Sequence, residues 1–500
     1  MELQIHFSLL ILCLAIFFLF TKRRSSGNEN LPPQPWKLPF LGHLHHLTVG
    51  DLPHRALGNL AQKLGPLFHL KLGEVSVVVV SSPLLAKEVL KTHDISFANR
   101  PKILSAEIIG YNYTDIAFAP YGEYWRQMRK ICIVELLSAK KVRSFESIRV
   151  EESWNLIESI GVRGKTTYGS ETINLSEKIF SMVNSIAVRV SVGSKCKDQE
   201  KLIALTKEIM SLSSGFDVSN LFPSVKVLHL LTGMRNKLTK IHKQIDKILN
   251  DIISDHQQRT GLSGQNEDLL DVLLRLKDDG GLHIPLTSDN VKAVLVDMFV
   301  AGTDTSSVTI EWAMLELMKN PRVMKKAQAE LRQAVKGNEK IYESDIQELD
   351  YLKLVIKETL RLHPPFPFLI PRESQEKCEI GGYHIPANTR VIINAWKIGC
   401  DPECWIDPEI FNPERFGETS VNLTGSDFEF LPFGSGRRIC PGMTLGLANI
   451  ELPLARLLYH FNWELPSGVR PQDLDSSETF GLTLNLKHNL HLVPIACNTD

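Results

Sequence analysis

Residues 433–442 read Phe-Gly-Ser-Gly-Arg-Arg-Ile-Cys-Pro-Gly, and the chemistry of this chain starts at Cys440. Of eight cysteines, it alone lies in a Gly/Arg loop directly ahead of an apolar helical pattern. A thiolate placed there is suited to serve as an axial ligand to a metal held in a flat macrocycle. Gly434, Gly436 and Gly442 let the backbone turn tightly and approach the ring plane. Backbone N–H groups turned towards the sulfur, with the helix that starts near Pro441-Gly442, favour the anion. Phe433 covers the sulfur against water, and Arg438 reaches acidic groups on the macrocycle's edge. The bland alternative is a buried cysteine in a Gly-rich turn, and two further constellations weigh against it.

Ala301-Gly-Thr-Asp-Thr-Ser306 falls in the middle of a long helical pattern that begins after Thr287-Ser288 and stops at Asn320-Pro321. Gly302 costs about 1 kcal/mol relative to alanine there, and the hydroxyl side chains bond back to carbonyls one turn earlier. Broken local rules in a helix interior mark a functional site. An acid beside an alcohol moves protons: Asp304 relays them from solvent and Thr305 passes them to a bound oxygen, for which Ala301 and Gly302 leave room. The bland alternative is a kinked core helix whose Asp304 pairs with a surface cation. The third constellation is structural. Glu358 and Arg361, three residues apart on a predicted helix 351–362, share one face, and Arg415 completes a buried three-way ion network expected to lock the cysteine loop in place.

The patterns F-x-x-G-x-R-x-C-x-G, A-G-T-D-T, E-x-x-R and P-E-R-F together resemble the cytochrome P-450 superfamily of haem-thiolate monooxygenases, from Pro32 to about residue 495. Segments 120–132, 360–365 and 447–455 are similar to plant microsomal members that oxidise terpenoids and alkaloids. The resemblance implies a fold mainly α with small β-sheets. It implies haem b bound through Cys440, with its propionates held by Trp125, Arg129, Arg372 and Arg438, as arginine geometry suits. It also implies a distal pocket formed by Phe299, Val300, Phe366, Phe368, Leu369, Ile370, Phe480 and Leu482. All eight are apolar, a wall that takes a hydrocarbon-like substrate by burial, and Phe366 is expected to narrow it. The implied reaction hydroxylates a terpenoid, or next an alkaloid, with O2. No G-x-G-x-x-G follows a strand, so electrons from NADPH must come through a separate NADPH-cytochrome reductase, with cytochrome b5 as an optional second donor. The alternatives are a haem-thiolate isomerase or dehydratase that uses no O2, and a non-enzymatic haem sensor.

These groups need a scaffold. Residues 67–80 predict a hairpin around Gly73-Glu74. Helical periodicity dominates from about 84 to 362, and short strands return near 378–395. Residues 401–432 read as mostly irregular, a helix covers roughly 443–459, and a short β segment closes the chain. Polar stretches 194–200 and 259–268 read as surface insertions.

Residues 7–20 are almost wholly apolar and are followed by Lys22-Arg23-Arg24. This predicts a single-pass transmembrane anchor over 1–21, a basic, proline-rich linker over 22–35 and a catalytic domain over 36–500. The positive-inside rule puts that domain on the cytosolic side, and the resemblance to microsomal members implies the endoplasmic reticulum membrane. The sequons at Asn112, Asn174 and Asn422 are then silent. Net charge of −1 gives no argument for nucleic acid. The scattered cysteines read as unpaired thiols, and the protein is expected to be monomeric.

Overall fold

The computed structural model describes residues 30–48, 51–161, 171–213, 215–225, 227–259, 267–335 and 341–497. The predicted anchor, most of the linker, and most of the 259–268 stretch lie outside them.

The predicted hairpin forms as Leu67–Leu72 and Val75–Val80, paired from Leu67↔Val80 to Leu72↔Val75. Its two-residue turn is set by Gly73, at a φ of 59°. Val75–Val80 also runs parallel to Arg390–Ile393, which pairs with Arg372–Glu373 to complete a four-stranded sheet. Four consecutive valines bury both faces of the second strand. The closing strand His491–Ala496 joins Phe461–Glu464 and the two-residue strand Ile173–Asn174, which sequence periodicity did not reveal.

Helices build the main core around Ser288–Lys319, a 32-residue helix spanning about 48 Å. Thr287 and Asn290 form a reciprocal capping box at its start. Asn320 and Pro321 end it, as expected. Helix Leu175–Val192 lies alongside, and helix Met443–His460 crosses it where a Cβ built on Gly446 would stand 3.9 Å from Ser306 Oγ. Helix Asp350–Leu362 ends at His363, whose ring stacks on Trp312 of the central helix at 3.9 Å and whose Nε2 meets Glu316 Oε1 at 3.0 Å. The central helix is thus gripped on several sides, which fixes the register of residues 297–305. The 194–200 stretch is shorter than expected, because helix Gln199–Leu212 starts inside it. All seven described cysteines are free thiols.

Candidate active site

The cysteine loop is held by its own backbone. Cys440 N–H donates to Phe433 O at 3.0 Å and closes the turn. Gly434 and Gly436 have φ of 70° and 71°, a region that favours glycine. A Cβ on Gly436 would also stand 2.1 Å from Leu90 O. Gly442 differs: its φ is −92°, and its value lies in its N–H, which donates to the Cys440 sulfur. Burial pushes the Cys440 thiol up, while the Gly442 amide and the Arg129 charge favour the thiolate. Phe433 is half-buried against the main core.

The charged rim is richer than expected. Arg438 lies over the Trp125 ring at 4.1 Å and donates to Ala98 O at 2.8 Å and Ala119 O at 2.7 Å. The Trp125 indole N–H is spent on Ile116 O at 3.2 Å, so its part in the rim is to seat the guanidinium. Arg372 bridges Asp94 at 2.7 Å and Ser435 O at 2.7 Å, which ties the sheet to the cysteine loop. Arg129 stands 5.8 Å from the Trp125 ring. Sequence reasoning missed Arg100, a buried guanidinium in Ala98-Asn-Arg-Pro101 that donates to Ala117 O at 2.9 Å and Pro371 O at 2.9 Å. Burial, then Arg372, draws Arg438 down to about 9. Arg100 is lowered by burial, then by Arg438 and Arg372. Four guanidinium groups therefore crowd one region, with Asp94 and Asp115 as the facing carboxylates. A crowd of buried cations is matched by a dianionic ligand, and a free cysteine backed by an amide N–H suits an axial metal ligand. The residues fit haem.

A cavity borders the central helix. Its wall includes Val296, Asp297, Val300 and Ala301 at spacings that form one helical stripe, with Phe366, Ile370 and Leu482 opposite. Of the eight expected pocket residues, Val300, Phe366, Ile370 and Leu482 line it. Phe299, one helical step from the stripe, is buried in the main core. Phe368 and Phe480 pack on each other at 5.7 Å and on Phe216. Leu369 takes a left-handed φ of 52°, and its Cδ1 lies 3.8 Å from where a Cβ of Gly434 would be. A strained residue next to the cavity residue Ile370 thus packs on the cysteine loop.

The wall is not wholly apolar. Asp115 and Asp297 line it and bind the 110–118 segment: Asp297 Oδ2 accepts from Ile116 N at 2.6 Å, and Asp115 accepts from Phe118 N. Burial, reinforced by Asp115, raises Asp297 well above the carboxylate range. Asp115 sits at about 6, raised by burial and drawn back by the Phe118 amide, Arg438 and Arg100.

In the central helix, Ala301 lines the cavity, but a Cβ at Gly302 would point at Ala187 of the neighbouring helix, 3.7 Å away. The glycine sits at a helix–helix contact. Thr305 Oγ1 donates to Ala301 O at 2.8 Å, the expected back-bond. Asp304 is buried, with no surface cation in salt-bridge range among the described residues. Its Oδ2 accepts from Thr483 Oγ1, a partner the sequence did not suggest. Burial holds Asp304 at about 6, against the Thr483 hydrogen bond and the Lys207 charge.

Glu358, Arg361 and Arg415 form the expected network: Arg361 donates to both Glu358 oxygens at 2.8 Å, and Arg415 Nε reaches Oε1 at 3.0 Å. Its other bonds go to Gly399, Ile406, Asp407, Pro408 and Ile410 carbonyls and to Asn412 N, so it clasps residues 399–412. The link onward to the cysteine loop runs through rings: Arg361 lies over Trp405 at 5.3 Å, and Trp405 and Phe416 meet Phe430, three residues before Phe433.

The chain is similar to known proteins along most of its length. Residues 32–493 match the family described as Cytochrome P450. The chain is 54% identical over 496 residues to a premnaspirodiene oxygenase of Hyoscyamus muticus, covering 97% of this chain and 98% of that one. It is 55% identical over 500 residues to a germacrene A hydroxylase of Barnadesia spinosa, covering 100% and 99%. A zebrafish cytochrome P450 solved with progesterone is 28% identical and superposes with a TM-score of 0.75 over 90% of this chain and 100% of that one. The chain belongs to the cytochrome P450 family of haem-thiolate monooxygenases.

Proposed function

We propose that this protein hydroxylates a terpenoid hydrocarbon of plant specialised metabolism, with O2 and with electrons from NADPH passed by a separate NADPH-cytochrome reductase, cytochrome b5 serving as an optional second donor. The carrying observation is the cavity: Val300, Ala301, Phe366, Ile370 and Leu482 offer apolar surface on both sides. Two relatives above half identity bear names that act on premnaspirodiene and germacrene A. The alkaloid reading is weaker, because the two carboxylates in the wall are already engaged, Asp297 by the Ile116 amide and Asp115 by the Phe118 amide with Arg438 and Arg100 facing it, which leaves them poorly placed for an ammonium group.

Haem b, when bound, supplies the iron at which O2 is activated for transfer of one oxygen atom to a C–H bond. Cys440 would hold that iron and Phe433 would shield the sulfur. Arg129, Arg372, Arg438 and Arg100 would neutralise the propionates, with Trp125 seating Arg438. Asp304, raised by burial to about 6, takes up and releases a proton just below neutral pH, Thr305 carries a hydroxyl one turn from the cavity residue Ala301, and Phe366 narrows the approach of substrate carbon. The Glu358–Arg361–Arg415 clasp keeps the segment before the cysteine loop in register.

The catalytic domain, residues 36–500, sits on the cytosolic face of the endoplasmic reticulum membrane behind the 1–21 anchor and the 22–35 linker, and acts as a monomer. Support comes from exposed apolar side chains: Trp36, Phe40 and Leu41 stand just after the linker, and Val218, Val225, Val227 and Leu231 flank Leu221, whose carbonyl accepts from Glu74 beside Gly73, itself bonded to Leu41 O. Exposed apolar side chains next to an anchor are expected to rest on lipid.

The test is microsomal turnover of a panel of sesquiterpene hydrocarbons and alkaloid skeletons, with and without reductase and NADPH. Hydroxylated terpenes that require both are expected. Product formed without reductase, or from the alkaloids alone, would overturn the reading.

A further inference from the structure

We propose that Thr483 is a positioning residue that ties the seating of substrate against Leu482 to the carboxyl of Asp304. This rests on reading Asp304 as the acid of proton delivery.

Leu482 and Thr483 are neighbours in a tight turn, and they face different tasks. Leu482 lines the cavity, while Thr483 is fully buried with its hydroxyl on Asp304 Oδ2. Asn485 Nδ2 donates to Thr483 Oγ1 at 3.0 Å. The amide thus occupies one acceptor position of the hydroxyl, whose single proton is directed at the carboxylate.

The turn itself is pinned by three bonds to other segments and closed by one of its own. Leu482 N donates to Met210 O at 2.9 Å, and Met210 is another cavity residue. Leu484 N donates to Pro365 O at 3.0 Å, Gly481 N to Thr483 O at 3.0 Å, and Trp312 Nε1 to Leu484 O at 3.1 Å. A Cβ on Gly481 would stand 3.0 Å from Met210 O, so the turn has little slack. Pressure on Leu482 therefore passes through one peptide unit to the hydroxyl that orients Asp304.

The charged groups around that carboxyl are Lys207, from helix Gln199–Leu212, and Glu311, two turns further along the central helix. Lys207 is exposed and Glu311 is occupied by the Ser176 hydroxyl. Among the described residues, Thr483 is the side chain that donates a hydrogen bond to the Asp304 carboxyl. Without it, burial acts against Lys207 alone and the carboxyl keeps its proton to higher pH.

The experiment compares wild type, T483V, T483S, N485L and D304N as full chains. One readout uses purified protein: the infrared band of the protonated carboxyl, assigned by its disappearance in D304N, titrated against pH. The second is the fraction of NADPH electrons recovered as product rather than hydrogen peroxide. The third is substrate affinity by equilibrium dialysis.

T483V is expected to move the titration up by about one on the pH scale. It should also cut the recovered fraction severalfold, with affinity kept within about twofold. T483S restores both readouts, and N485L, which leaves the hydroxyl in place but frees it to turn, falls between. A T483V protein that titrates and couples as wild type overturns the proposal, as does a loss that T483S fails to rescue. If T483V does not fold, an N485L protein identical to wild type in both readouts overturns it. D304N coupling at the wild-type level instead sinks the proton-delivery reading, and a carboxyl titration unmoved in T483V remains the separate mark of failure for Thr483.

Discussion

Replacing Arg361 with alanine removes a fully engaged, buried guanidinium from the clasp on residues 399–412. The side chain is 1% exposed and donates five hydrogen bonds: two to Glu358, and one each to Gly399 O at 2.6 Å, Pro408 O at 2.7 Å and Ile410 O at 3.3 Å. Removing one partner of a buried ion pair costs roughly 3–5 kcal/mol. Glu358 keeps Arg415 at 3.0 Å and Asn412 N at 2.8 Å, which points to the lower end. Gly399 and Pro408 lose a charged donor, and a buried acceptor left without one costs about 1 kcal/mol or more. The sum is about 5 kcal/mol, more than a thousandfold in the folding equilibrium and comparable to the whole stability of many proteins. R361A should therefore unfold at lower denaturant and bind little or no haem. R361K, which keeps a charge but cannot fork, should fall between. The assay pairs denaturant unfolding with haem stoichiometry in the same preparation. An R361A protein that loads haem fully and unfolds with wild type would refute the reasoning.

Phe366→Ala should widen the cavity wall opposite Ala301 and convert a single major oxidation product into several; an unchanged product profile would count against a narrowing role. Glu311 bears on stability against pH. Burial raises its carboxyl from 4.5 to about 7, so the folded state holds the proton more tightly than the unfolded one, and its contribution is complete at low pH and lost as pH rises through 7. Glu311→Gln should escape a loss of roughly 2–3 kcal/mol between pH 5 and pH 8. Unfolding midpoints of variant and wild type that shift in parallel over that range would contradict this.

Local spacing explains what could be read without a structure. The cysteine loop, the Glu358–Arg361 pair and the capped central helix are each specified within ten or so neighbouring residues, and all three appear as expected. The 67–80 hairpin was legible for the same reason. What escaped depends on which way a side chain turns or on contacts between distant segments. Phe299 and Val300 differ by one helical step, and only Val300 meets the cavity. Asp304 found its partner 179 residues away in Thr483, and Asp297 met Ile116 across 181 residues. Arg100 carries no periodic signal at all, since its role rests on burial among other arginines. The network around Glu358 was identified correctly, but its grip on 399–412 rather than on the cysteine loop follows from backbone carbonyls that no pattern announces.

The most direct measurement is the absorption spectrum of the reduced carbonyl complex of wild type and of C440S. Thiolate ligation predicts the thiolate-type band in wild type and its loss in C440S. A C440S protein with the same haem content and an unaltered band would show that Cys440 does not hold the iron.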